Sequence, residues 1–106
     1  MAKKKKPEEQ SESELQTDMM KYLTLKGIYH ININPGQFMR AGIPDLICCV
    51  RGHFLAIEVK RPDGKGITSK LQEYNIEEII KSGGTAVVME NYIEFTKFID
   101  MSLTKK

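Results

Sequence analysis

No run of apolar residues in this 106-residue chain approaches the ~20 that a membrane-spanning helix needs. A secretory leader is also missing: the first residues are Lys-rich but run into Glu, Gln and Ser rather than into an apolar segment, so the cytoplasm is the expected compartment. Cysteine is confined to Cys48 and Cys49. Adjacent in a strand, they point to opposite faces and cannot converge on one metal, so both read as reduced packing residues. The two histidines, His30 and His53, have no partner at metal-ligand spacing and read as a satisfied strand residue and a turn residue. The full Gly-x-x-x-x-Gly-Lys-Ser/Thr signature of a phosphate-cradling loop is absent, which discounts nucleotide binding by that route. There is no internal repeat, and no low-complexity segment beyond one lysine run.

What remains is one domain of ordinary globular composition, 41% hydrophobic and 28% charged, with little room for an accessory module. The net charge is +2, yet Lys3 to Lys6 carry four positive charges, which leaves the rest of the chain at −2. Bulk charge therefore announces no nucleic-acid binder. The local pattern says more, because Lys60, Arg61, Lys65 and Lys70 cluster, with Arg40 and Arg51 in loops nearby in sequence. Taken singly these are solvated loop charges; taken together, around an acidic centre, they suit a phosphate backbone.

The acidic centre follows from counting along Gly42 to Lys60. Two runs rich in Leu, Ile, Val, Cys and Phe are separated by Arg51-Gly52, whose glycine can take the positive φ of a two-residue hairpin loop. If Val50 faces His53 across that turn, Asp45 faces Glu58, and the two-residue side-chain period puts Lys60 on the face of Glu58. Opposed Cβ atoms lie about 5 Å apart, and two carboxylates at that spacing repel by roughly 3 kcal/mol at an effective dielectric near 20. Lys60 alone can balance them, as on an ordinary polar strand face. A divalent ion is the better explanation, because the acids sit at the far end of the hairpin from its turn, on strands that otherwise carry core residues. Hard cations such as Mg2+ take carboxylate oxygens and suit phosphate chemistry.

Around this hairpin the chain reads in order. Residues 1–10 are a charged tail without periodicity, expected to be disordered, and 11–104 form the domain. Ser11 and Glu14 have capping-box spacing, and Leu15, Met19, Tyr22 and Leu23 mark a helix from about Glu12 to Lys26, ended by Gly27. Ile28 to Ile33 alternates, with Tyr29, Ile31 and Ile33 on one face and His30 and Asn32 on the other. Asn34-Pro35-Gly36 is a turn, and Gln37 to Ala41 a loop that delivers Arg40 near Asp45. Arg61 to Gly66 is a flexible basic loop. Thr68 or Ser69 caps a second helix, Ser69 at capping-box spacing from Gln72, which runs to Gly83-Gly84. Thr85 to Met89 is a short, mostly apolar strand, expected to be buried on both faces inside the sheet. Asn91 caps a last helix whose Tyr92, Phe95, Phe98 and Ile99 have core spacing. The end, Thr104 to Lys106, is expected to fray.

Gly42-x-Pro44-Asp45, then Glu58-x-Lys60, then Gln72 in a following helix resembles the virus-type replication-repair nuclease (VRR-NUC) domain of the PD-(D/E)xK nuclease superfamily, over about Glu14 to Ile99. Each motif is weak alone; their order and spacing are together fairly specific, and no catalytic position is missing. The resemblance implies an α/β, restriction-endonuclease-like fold: a small mixed sheet of about four strands flanked by helices, in the order helix, three strands, helix, strand, helix. It implies metal-dependent DNA hydrolysis, with catalytic Asp45, Glu58, Lys60 and Gln72, and with Mg2+ or Mn2+ held by Asp45, Glu58, the Val59 carbonyl and Glu14. Asp18, one turn beyond Glu14, is a weaker candidate. Glu14 and Gln72 each keep a second reading as capping side chains. Arg40, Arg61, Lys65 and Lys70 are the expected DNA contacts. The expected substrate is branched DNA such as a four-way (Holliday) junction, cut by a homodimer in a bacterial or phage-infected cell. Flaps, nicked ends or RNA stay open as substrates, as does a non-catalytic binding module, because phosphate contacts carry no sequence information and no base-reading element is recognisable.

Overall fold

The computed structural model describes residues 6–33 and 40–104. The Asn34-Pro35-Gly36 turn, most of the loop after it, the start of the tail and the last two lysines lie outside the described residues. A single 3-10 turn, Pro7–Glu9, precedes helix α1, Glu12–Leu25. Helix α1 starts where the capping box places it, the Ser11 hydroxyl accepting the Glu14 N–H at 3.1 Å and Glu14 Oε1 accepting the Ser11 N–H at 3.1 Å. It stops in a Schellman motif, in which the Ile28 N–H bonds the Leu23 carbonyl and the Gly27 N–H bonds that of Thr24.

Strands β1 (Tyr29–Asn32), β2 (Leu46–Val50) and β3 (His53–Val59) form an antiparallel meander; helix α2 (Lys70–Lys81) then crosses to β4 (Thr85–Met89), parallel to β3, and α3 (Tyr92–Thr104) closes the chain. This is the expected α/β architecture, with a mixed four-stranded sheet in the order β1-β2-β3-β4. The β2–β3 turn is the two-residue one. Arg51 and Gly52 both have positive φ, 53° and 81°, as a type I′ turn requires, and Val50 pairs with His53.

One sheet face carries the core. Leu46, Cys48, Val50, Leu55, Ile57 and Val59 alternate onto it and pack against Leu15, Met19 and Leu23 of α1 and Phe95 and Ile99 of α3. Cys48 is buried there and Cys49 is exposed on the other side, so the two thiols are separated as the strand period demands. Helix α2 lies over the β4 side of the opposite face, where Lys60 reaches Gln72 and where the Gly84 backbone fits between Ile79 and Phe54. Its capping box, Ser69 with Gln72, forms as expected, and Asn91 Oδ1 caps α3 by accepting the Glu94 N–H.

One strand differs from expectation. β4 is an edge of the described sheet rather than an interior strand: only Ala86 is buried, and Val88 is exposed. A five-residue apolar run is compatible with either place, and the α2 crossover leaves β4 with β3 as its one partner. β1 keeps its alternation, but its apolar side stays open, Tyr29 being 73% exposed, because α1 and α3 pack on the His30 side. Among the described residues no helix is long and apolar enough to cross a membrane.

Candidate functional site

The entry into β2 is shaped by Gly42, which has φ 83° and lies so close to α2 that a Cβ there would come 2.8 Å from Leu71 Cγ and 2.9 Å from the Leu71 backbone. Only glycine fits both the conformation and the space. The chain then passes through buried Pro44 to Asp45, whose carbonyl accepts the Ile33 N–H at 2.8 Å, keeping Asp45 in line with the sheet. Extending the observed pairing of Leu46 with Ile57 by one residue sets Asp45 across from Glu58. The Asp45 carboxylate bends over the next peptide, and Oδ2 accepts the Val59 N–H at 2.8 Å.

Glu58 is only 2% exposed, and its Oε1 is buried without a hydrogen-bond partner among the described residues. Its other oxygen lies 4.0 Å from Lys60 Nζ. Burial pushes the Glu58 carboxyl up to about 8, helped by hydrogen bonding to and repulsion from the Asp45 carboxyl, opposed by the Lys60 ammonium, and raised slightly further by Glu12. A carboxyl group is thus held out of water beside the Asp45 carboxyl, and its ionised form has one imperfectly placed cation to offset it. Buried polar atoms in folded proteins nearly always have a partner, so the bare Glu58 Oε1 marks a position suited to a cation.

Lys60 is also buried, and its Nζ donates to Gln72 Oε1 at 2.9 Å. The same Gln72 oxygen accepts the Ser69 N–H at 2.9 Å. The capping geometry of α2 is thus what aims the Gln72 amide oxygen at Lys60. Asp45, Glu58, the Val59 peptide, Lys60 and Gln72 come together at one end of the sheet. Among the described residues no three His, Cys, Asp or Glu side chains converge as a metal site by themselves. An acidic pair nonetheless fits Mg2+, which commonly takes one or two carboxylates and completes its shell with water and substrate phosphate; all the protein donors here are hard oxygens.

The other sequence-derived residues are more dispersed. Glu14 serves the α1 cap through Oε1, and Asp18 Oδ2 accepts from Gln10 Nε2 at 2.8 Å. Glu12, at the first helical position of α1 and half-buried, also raises the Glu58 carboxyl slightly by repulsion, and the sequence did not single it out. Arg40, Arg61, Lys65 and Lys70 are all exposed around the site's loops, Arg61 Nε lying 3.7 Å from Asp63 Oδ1.

A cavity of about 540 Å³ opens at the turn end of the hairpin, away from these residues, between Arg51, His53, Thr85, Phe98 and Ser102. Its polar groups satisfy one another: His53 Nε2 meets Thr85 Oγ1 at 2.7 Å, Arg51 Nη1 donates to the Leu103 carbonyl, and Ser102 Oγ to that of Phe98.

No family model and no curated protein matches the chain. Solved structures do. One, a VRR_NUC domain, superposes with a TM-score of 0.71 at 20% identity, over 86% of this chain and 97% of its own. Another, a VRR_NUC domain protein, has a TM-score of 0.71 at 26% identity, over 89% of this chain and 88% of its own. Over most of its length the chain thus has the fold of these VRR_NUC structures.

Proposed function

We propose that this chain hydrolyses phosphodiester bonds in DNA with a divalent cation, Mg2+ or Mn2+, and that its substrate is branched DNA such as a four-way junction. The observation that carries the reading is the buried Glu58 Oε1, without a hydrogen-bond partner among the described residues, beside Asp45 at the end of the sheet of a fold shared with a VRR_NUC domain. Asp45, Glu58 and the Val59 carbonyl would hold the cation, which when bound supplies a Lewis acid for the attacking water and the phosphate oxygens. A carboxylate of α1 assists directly or through water: Glu14 by the resemblance, Glu12 by its action on Glu58.

The chain's own groups do the rest. Lys60, held by Gln72, orients the attacking water and offsets charge that develops on the phosphate. Arg40, Arg61, Lys65 and Lys70 neutralise phosphates along the backbone, which gives affinity without base selection. A chain with one acidic pair has one cutting centre, whereas resolving a junction needs two opposed strands cut, so two chains act as a C2 pair. The test incubates purified protein with labelled junction, flap, duplex and single-stranded DNA, each with EDTA, Mg2+ or Mn2+. Junction cleavage that needs the cation is the expected result; cleavage undiminished by EDTA ends the metal mechanism.

A further inference from the structure

The loop that follows Lys60 ends in a side chain with no evident packing role. Ile67 is 85% exposed. Isolated apolar residues on a surface need no explanation in general; what distinguishes Ile67 is the internally tied loop that carries it and what surrounds it. The loop is tied internally by the Gly64 N–H to the Arg61 carbonyl at 3.2 Å and by the Lys65 N–H to Asp63 Oδ1 at 2.9 Å. On its far side Ser69 anchors it to α2. Gly66 rests on Lys60, so closely that a Cβ there would come 3.0 Å from Lys60 Cβ and 3.2 Å from Cδ. Ile67 therefore stands one peptide away from a packed contact with a residue of the candidate site.

Its surroundings are basic and apolar together. Arg61, Lys65 and Lys70, all exposed, flank it in the chain. Leu71, also exposed, lies against Gly42 and extends the apolar surface toward the loop that enters Asp45. Cations beside a fixed apolar tip complement a nucleic acid whose phosphates lie close to an exposed base face. A second copy of this chain would instead bring like charges together.

We infer that Ile67 is a wedge that enters an opened base step of DNA held at the Asp45–Glu58 site, with Arg61, Lys65 and Lys70 on the adjoining phosphates. The inference rests on the DNA-hydrolase reading and adds to it the residue that selects branched over continuous duplex. Phosphate contacts fix register but do not distinguish a branch from a duplex. An apolar side chain gains contact only where bases are unstacked, and opening a step costs less at a branch point, where stacking is already interrupted on one side, than inside intact duplex.

The experiment places 2-aminopurine at the branch of a four-way junction and inside a matched duplex. Both are titrated in EDTA, where cutting is suppressed, with the full chain as wild type, Ile67→Ser and Ile67→Leu; wild-type cleavage with Mg2+ is followed in parallel. Wild type is expected to raise the branch fluorescence at least about twofold. Ile67→Ser loses that rise and weakens junction binding about tenfold, because the apolar wedge is lost, while duplex binding changes by less than about twofold. Ile67→Leu restores both, and the mass by light scattering is the same for all three. An unchanged rise and affinity in Ile67→Ser, or a lower mass for that variant, overturns the inference. Wild type that binds and cuts DNA without any rise overturns the wedge and leaves the nuclease standing; wild type that neither binds nor cuts removes both.

Discussion

Asp45 stands across the β2–β3 ladder from Glu58 and grips the peptide beside it, its Oδ2 2.8 Å from the Val59 nitrogen. One oxygen of Asp45 is thereby committed to the backbone, and Glu58 keeps a bare one. The two carboxylates have different structural costs if changed, and the predictions separate them.

Asp45→Asn keeps a carbonyl oxygen for the Val59 N–H and should fold normally, while Asp45→Ala should lose about 1–3 kcal/mol by leaving that N–H without its acceptor. Both should cut at least about a hundredfold more slowly, as when a charge-stabilising group is lost from an active site. Urea unfolding and single-turnover cleavage measure the two effects. Equal stabilities for Asn and Ala would remove the backbone role of Asp45.

Glu58 predicts a pH dependence of stability in the metal-free protein. Its folded pKa, about 8, lies above the unfolded value near 4.5. Between these the unfolded chain has released the proton and the folded one has not, so stability falls as pH rises from about 4.5 to about 8. Melting in EDTA across this range should show the decline, and Glu58→Gln, which has no proton to release, should flatten it. Mg2+ should raise the melting temperature of wild type at pH 8 and not that of the Gln variant.

The α1 carboxylates are separable. Glutamine also serves in a capping box, so Glu14→Gln should leave α1 intact, and Glu12→Gln removes a charge that acts on Glu58. Isothermal titration with Mn2+ should show weaker binding for the residue that belongs to the metal shell, and Glu12→Gln is expected to be the weaker. The reverse order would return the role to Glu14.

Lys60→Ala should lose turnover more than metal affinity, because a lysine ammonium has no lone pair to give. Gln72→Ala should lose about 1 kcal/mol of stability with its share of the α2 capping box and also slow turnover by freeing Lys60. A Gln72→Ala enzyme with full activity would make that residue a cap and nothing more.

Assembly is read by light scattering together with cut sites on a junction extruded from a plasmid, where paired incisions cannot drift apart. A dimer that makes paired cuts, with binding that weakens steeply with salt, is expected. A monomer at working concentration that nicks singly and prefers linear duplex would end the junction reading and leave the nuclease reading in place.

Much of the site was legible because its geometry is local. Arg51-Gly52 admits one short turn, that turn sets the register, and the register places Asp45 opposite Glu58 with Lys60 on the same face. The capping boxes at Ser11 and Ser69 were equally local, and each put its helix start where the spacing said. Gln72 was readable as a cap but not as the partner of Lys60, since that contact joins two segments across a loop.

What the chain by itself determined was therefore the set of elements, the hairpin register and the convergence of acids with a lysine. These depend on backbone preferences and side-chain periods within a few residues. Tertiary structure decided the rest: that β4 is an edge of the described sheet, that β1 leaves Tyr29 in the open, that Glu12 bears on Glu58, and that Glu58 Oε1 is buried with no hydrogen-bond partner among the described residues. Each of these depends on which helix covers which face of the sheet, and that is settled by packing between residues far apart in sequence, where the total area buried and the polar groups left unpaired favour one arrangement over its alternatives.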